Sequence, residues 1–212
     1  MRPPRWVWYV AGLLGLLLLG VVVRMGIGSP PPGTAGSPSV TPAATAGVVD
    51  PGVGDTPNGG HGQDVDGIKC ETSEQVAYHI HAHLAIYVDG KPRQVPFGIG
   101  IPDPVTQQAN GYPFVVSGKC FSWLHTHMSD GVIHVESPSQ RGYTLGQFFD
   151  IWGQPLSATQ AGPVTGTVTA FYRGKPYAGS DLRTIPLTAH ADIQLDVGQP
   201  LVAPEVTDFS RL

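Results

Sequence analysis

The sequence predicts a mainly β domain, a β-sandwich or open barrel with one short helix, preceded by an N-terminal transmembrane helix and a disordered linker. Three observations carry this. An unbroken apolar run opens the chain, and a stretch rich in Pro, Gly, Ala and Thr follows it. Beyond residue 66, short alternating runs of β-forming residues are separated by turns containing Gly.

The run from Trp6 to Val23 holds no charged residue. At roughly 18 residues it meets the lower limit for crossing a bilayer as a helix. Arg2 and Arg5 precede it and Arg24 follows, so the heavier positive flank is N-terminal. The N-terminus is therefore expected inside and the rest of the chain exported. Trp6, Trp8 and Tyr9 stand where an interfacial aromatic belt would be. Small residues from Gly26 to Ser29 leave a cleaved signal peptide as the alternative. The apolar run exceeds the roughly 7–15 residues of a signal core, which favours a retained signal-anchor over residues 1–25. No cysteine lies near it, so a lipoprotein anchor is excluded. Residues 26–65 are almost uncharged, lack the apolar content to bury a core, and read as a disordered linker. A flexible chain of that length has an r.m.s. span of roughly 35 Å. The expected location is the cell membrane, single-pass, with residues 66–212 as an extracytoplasmic histidine-rich β domain.

The chain has 212 residues, a formal net charge of −4 and only 13% charged residues, with no basic stripe. Nucleic acid is therefore not an expected partner; the membrane is. Cys70 and Cys120 are the two cysteines, and an even count in an exported domain reads as a disulfide. Closing a loop of roughly 50 residues stabilises by about 4 kcal/mol in the chain-entropy picture.

Within the domain, Val76 to Val88 alternates and ends at Asp89-Gly90, a tight-turn signal, with Lys91 to Val95 as the return strand. Pro113–Val116 and Cys120–His125 read as a pair around Ser117-Gly118. Val132–Glu136, Thr165–Tyr172 and Ala189–Val197 complete the strands. Thr144 is an N-cap for a helix carrying Leu145, Phe148, Phe149 and Trp152 at i, i+3, i+4 and i+7, stopped by Gly153. That stripe reads as core.

Eight histidines are present, and all but His61 lie in the domain. His79, His81 and His83 alternate along one strand, so their side chains share one face, while Ile80, Ala82 and Leu84 take the other. His125 and His127 alternate in the same way, as do His134 and Glu136. Three segments thus project metal-capable side chains. Imidazole suits copper, zinc, iron and nickel, and a site needs three or four such ligands. Candidate ligands are His79, His81, His83, His125, His127 and His134. Asp130, Glu136 and His190 are further candidates as ligands or as acceptors that orient imidazoles. His61 reads as a solvated loop residue.

Some motif readings fail. His125-Thr126-His127 with Asp130 resembles the first metal motif of PHP-type phosphoesterases, but too little chain follows, and it is β in character. The aspartate spacing excludes the metallo-β-lactamase motif. Cys120, His125 and Met128 carry a local likeness to the copper loop of cupredoxins. Against it, the domain continues well past that loop, and a bridged Cys120 supplies no thiolate. No nucleophile elbow, phosphate loop or dinucleotide fingerprint is present.

The segments His79–His83, Trp123–His127, Gly131–Glu136 and Tyr143–Gly153 together resemble an uncharacterised family of exported or membrane-anchored bacterial and archaeal proteins. Its motifs are HxHxH and HTHxxDGxxHxE. The resemblance implies one unit from Cys70 to Phe209 and carries no established activity. The expected function is extracytoplasmic binding of a transition metal, copper or zinc, for capture, buffering or delivery to a protein partner. Two alternatives stand beside it. One is a metal-dependent hydrolase or oxidoreductase using the same histidines, with Glu136 or Asp130 as general base. The other is a structural or adhesion module whose histidines form a network without metal.

Overall fold

One long strand organises the fold. The computed structural model describes residues 61–211, all within one compact unit. The expected anchor over residues 1–25 and the linker up to residue 60 lie outside the described residues. In chain order the strands are β1 (Cys70–Glu71), β2 (Tyr78–Val88), β3 (Lys91–Arg93), β4 (Val105–Ala109), β5 (Tyr112–Ser117), β6 (Phe121–Ser122), β7 (Leu124–His125) and β8 (Val132–Ser137). Helix α1 (Leu145–Trp152) follows, then β9 (Leu156–Ser157), β10 (Gln160–Ala161), β11 (Val164–Thr165), β12 (Val168–Tyr172), β13 (Lys175–Pro176) and β14 (Ala191–Val197). The described chain is mainly β, its sheets are open, and α1 is its one α-helix. Among the described residues, no helix is long and apolar enough to cross a membrane.

The main sheet runs β13-β12-β14-β2-β8-β7, with β3 also on β2. The 11-residue β2 serves three partners because it is long. Tyr78–His83 pairs antiparallel with β8, Ile86–Val88 pairs with β3, and Ala82–Val88 pairs on the other edge with β14. The β2–β14 pairing is parallel, which requires a long crossover; residues 89–190, which carry β3 to β8, α1, the small sheet β11-β10-β9 and β12–β13, lie between them.

Alternation on β2 divides the sheet into a dry face and a polar face. Ala82, Leu84 and Ile86 are buried, level with Ile133 of β8 and with Ile193 and Leu195 of β14, while Val135 of β8 lies level with Ile80. Against this face packs α1, with Leu145, Phe148, Phe149, Ile151 and Trp152 all in the same cluster. The helix starts as its sequence predicts. The Thr144 hydroxyl accepts from the Gln147 N–H, the Gln147 side chain accepts from the Thr144 N–H, and Gly153 closes the helix in a left-handed conformation.

Three strand readings are corrected. Tyr112–Ser117 pairs with Val105–Ala109 around Asn110-Gly111, not with Cys120–His125. Asn-Gly between two extended runs is the stronger hairpin signal, and both residues take positive φ, 53° and 84°. The Cys120–His125 segment is split at Trp123. The Cys70–Cys120 disulfide is formed, and β6 therefore follows β1, while β7 turns away to pair with β8. The run from Thr165 to Tyr172 is likewise broken at Gly166, giving β11 and β12 in different sheets.

The polar face is itself divided. Over β14 it is covered by the C-terminal segment, whose amides are caught by alternate side chains of that strand. Asp196 accepts from the Val202 N–H (2.6 Å), Gln194 from Glu205 (3.0 Å) and Asp192 from Thr207 (3.1 Å). The histidines occupy the other part, over β2, β8 and β7.

Candidate metal centre

Strand register assembles the histidines. His81 pairs with His134, and His134 pairs with His125, so the three form a row across β2, β8 and β7. Neighbouring strands lie about 4.8 Å apart. His79 pairs with Glu136 one pleat further on, which puts a carboxylate beside the row. The row therefore follows from two antiparallel pairings in fixed register and from the period of two along each strand.

On the β2 side the donors form a closed ring. The His79 and His81 Nε2 atoms are 3.0 Å apart, and His81 Nε2 is 3.2 Å from His134 Nδ1. His134 Nδ1 lies 3.2 Å from Glu136 Oε1, which lies 3.1 Å from His79 Nε2. Ligands at 2.0–2.1 Å in a tetrahedron are about 3.3 Å from one another, so the four edges match the spacing of ligands around a small ion, with His79, His81 and His134 as its group of nitrogens and Glu136 Oε1 beside them.

On the β7 side His125 and His127 face each other, Nε2 to Nε2, at 3.1 Å. Each uses its other nitrogen on the backbone. His125 Nδ1 donates to the Ser122 carbonyl (2.8 Å) and His127 Nδ1 donates to the Val115 carbonyl (2.6 Å). That fixes both tautomers and leaves two bare lone pairs aimed at one point, which is how a protein presents imidazole to a metal. Phe114, on the β4–β5 hairpin, stacks on His127 with ring centroids 4.9 Å apart. The loop before the hairpin holds the strand end: Gly98 N–H donates to Thr126 O, and Thr126 N–H to Ile99 O.

Glu136 joins the two sides. Its carboxylate is 3% exposed, and Oε2 has no hydrogen-bond partner, although His125 Nε2 lies 4.0 Å away. Burial alone would raise the Glu136 carboxyl. The His134 hydrogen bond and the imidazoles of His125, His134 and His79 outweigh it and hold the group below its ordinary value. Three of the histidines, His125, His81 and His127, shift toward their neutral, metal-binding form. Burial, then the neighbouring His134 and His127, lowers His125 to about 3. Burial, then His134 and His79, lowers His81 to about 4. Burial lowers His127 as well, against the opposing hydrogen bond to Val115.

Of the sequence candidates, His79, His81, His125, His127, His134 and Glu136 converge, in donor groups whose ligand atoms lie within 4.8 Å of one another. The others stand elsewhere. His83 shares the face of β2, but its Nε2 contacts the Asp130 carbonyl at 3.0 Å, and its Nδ1 lies 3.9 Å from Asp192. Asp130 accepts from the Val132 N–H and shapes the turn into β8. His190 is exposed and stacks on Phe209. His61 is exposed, as the sequence suggests. Sequence reasoning missed Glu74, whose Oε1 is 3.2 Å from His127 Nε2 and which groups with His125 and Glu136. The signal was indirect: a Cys70–Cys120 bond places the chain just after Cys70 beside the chain just after Cys120. With both cysteines in that bond, Cys120 offers no thiolate, and the cupredoxin-like reading falls.

No protein-family model, curated protein or solved structure matches the chain. Geometry and chemistry of the donors therefore carry the functional reading alone. Five imidazoles and two carboxylates form a borderline-soft nitrogen-rich set, which suits zinc or copper over magnesium or calcium.

Proposed function

We propose that this chain is a membrane-anchored, extracytoplasmic transition-metal-binding protein that captures copper or zinc and holds the ion or delivers it to a protein partner. The observation that carries the reading is the His125–His127 pair. Both rings donate their Nδ1 proton to a carbonyl, so neither Nε2 has a proton to offer the other across 3.1 Å. Two lone pairs facing at that distance repel unless a cation lies between them. A histidine network without metal would need an additional proton on one of these two buried rings, with Glu74 Oε1, 3.2 Å from His127 Nε2, as its counter-charge. The buried, unpartnered Oε2 of Glu136 points to the same missing positive charge.

Binding is favoured over catalysis by the placement of the carboxylates. Glu136 sits among the donors, and Asp130 serves a turn outside them, so neither stands free as a general base. His79 is 38% exposed and marks the side from which an ion enters and leaves. The motif segments quoted for the uncharacterised exported family contain all five converging imidazoles and Glu136. We read the architecture as an open sandwich, with the sheet as one layer and α1 with the small sheet β11-β10-β9 as the other.

The test is elemental analysis of the full-length chain purified without an affinity histidine tag. Near-stoichiometric copper or zinc is expected, with loss in the His81→Ala, His125→Ala double variant. A wild-type protein that stays metal-free after incubation with both ions overturns the reading.

A further inference from the structure

We propose that the centre holds two ions, bridged by the carboxylate of Glu136. The inference rests on the metal-binding reading above and concerns how that site is built. Seven donors converge, whereas a tetrahedral ion takes four. The distances divide them into two sets. His79, His81, His134 and Glu136 Oε1 form the ring on β2 and β8, with successive edges of 3.0–3.2 Å. The second set joins two overlapping groups, His125–His127–His134 and Glu74–His125–Glu136: it takes His125 from the end of β7, His127 just beyond it, Glu74 from the segment after Cys70 and Glu136 Oε2 from β8.

Glu136 is the member common to both, and it divides by atom. Oε1 lies against His79 and His134, and Oε2 faces His125 without a hydrogen-bond partner. A carboxylate that gives one oxygen to each ion holds them roughly 3.5–4 Å apart, the spacing of two-metal sites. Its charge also lies between the two cations, where it offsets their repulsion best. The His134 ring packs against its neighbours on both sides, with centroids 4.5 Å from His81, 4.7 Å from His127 and 5.3 Å from His125, and so walls both positions. The second set is the better organised, because two backbone carbonyls fix its imidazoles. Each set meets solvent through one exposed member, His79 in the first and Glu74 in the second, so this difference in organisation is what separates them. Loading is therefore stepwise, with the His125–His127 position filling first and the His79–His81 position exchanging more readily.

The experiment counts ions on the full-length chain. Chelator-stripped protein is dialysed against Zn²⁺ or Cu²⁺, and bound metal is measured beside protein concentration. Two ions per chain are expected in wild type, and one each in His79→Ala and His127→Ala. Both substitutions spare Glu136, and His79 is exposed enough that its loss leaves the core intact. With Cu²⁺, the pair in wild type is spin-coupled through the carboxylate, so its EPR signal accounts for much less than the bound copper. Glu136→Gln restores a full signal from whatever copper remains. One ion in wild type overturns the pair while leaving metal binding standing, and no ion overturns both readings. Two ions retained in both alanine variants, or an uncoupled signal equal to the copper content, also overturn the bridged pair.

Discussion

The Nε2 atoms of His125 and His127 face each other at 3.1 Å, and each ring has already spent its proton on a backbone carbonyl. Ion binding should therefore stabilise the fold directly. A ligand at 100 times its Kd adds about 2.7 kcal/mol to the native state. For a domain of this size that raises Tm by roughly 5–10 °C. Thermal unfolding with Zn²⁺ and with excess chelator should show that gap in wild type and a much smaller one in His127→Ala. Equal melting temperatures for loaded and stripped wild type would count against an ion at this pair.

The metal-free protein should be acid-sensitive. His125 is held at about 3 and His81 at about 4, against an ordinary 6.5. Between those values the unfolded chain binds protons that the native one refuses, so stability falls as pH drops below 6.5. It is flat above 6.5 as far as these two groups are concerned. For the fully buried His125 the slope is about 1.4 kcal/mol per pH unit. Glu136 acts in the same direction in stronger acid. Its depressed carboxyl adds stability above its ordinary value of 4.5, lost as pH falls through the lower native value. Urea midpoints in chelator at pH 7.5, 6.5, 5.5 and 4.5 measure this. A midpoint constant from 6.5 to 4.5 would show that His125 takes up its proton without unfolding the site.

Gly100 holds the loop against the end of β7 and tolerates no side chain. Its φ is 74°, and an added Cβ would overlap the Leu124 carbonyl oxygen and press on His125 Cβ at 3.2 Å. Gly100→Ala should cost at least about 2 kcal/mol and weaken ion binding by displacing His125. Gly111 is the control. Its φ is 84°, but nothing lies within 4 Å of an added Cβ. Gly111→Ala should cost only the roughly 1 kcal/mol of the left-handed backbone, with binding unchanged. Equal effects from the two substitutions would remove the close approach as the cause.

Much of this site was legible because strand geometry is periodic. His79 and His81 share a face by alternation, Glu136 follows His134 by the same rule, and α1 declared itself through Thr144, the stripe Leu145, Phe148, Phe149 and Trp152, and Gly153. The row of His81, His134 and His125 was not legible, because register between strands distant in sequence leaves no local mark. His127 looks like a continuation of the strand carrying His125, yet β7 ends at His125. The Val115 carbonyl, on a hairpin that sequence reading paired wrongly, is what turns the ring inward. His83 obeys the alternation that recommended it and is drawn off by the Asp130 carbonyl. Glu74 lies in irregular chain, where no period operates.

The C-terminal segment should matter for stability and not for metal. Asp196 is buried, and its two oxygens accept from different donors, Oδ1 from Gln194 Nε2 (2.9 Å) and Oδ2 from the Val202 N–H (2.6 Å). An asparagine there offers one oxygen and one NH2, so one of the two donors must meet another donor. Losing a charge-assisted bond in a buried position costs about 1.5–3 kcal/mol. The lesion is remote from the donors. Asp196 pairs with Tyr87, six residues along β2 from His81, which is roughly 20 Å of strand. Asp196→Asn should therefore lower the urea midpoint by that amount and leave metal content per folded chain at the wild-type value. Removing residues 201–212 should do the same more severely, since Asp192, Gln194 and Asp196 all lose their backbone partners. A variant that keeps its midpoint would show the segment to be loosely held. One that loses its metal while still folded would mean that the covered part of the polar face supports the histidine part, and that the two do not act independently.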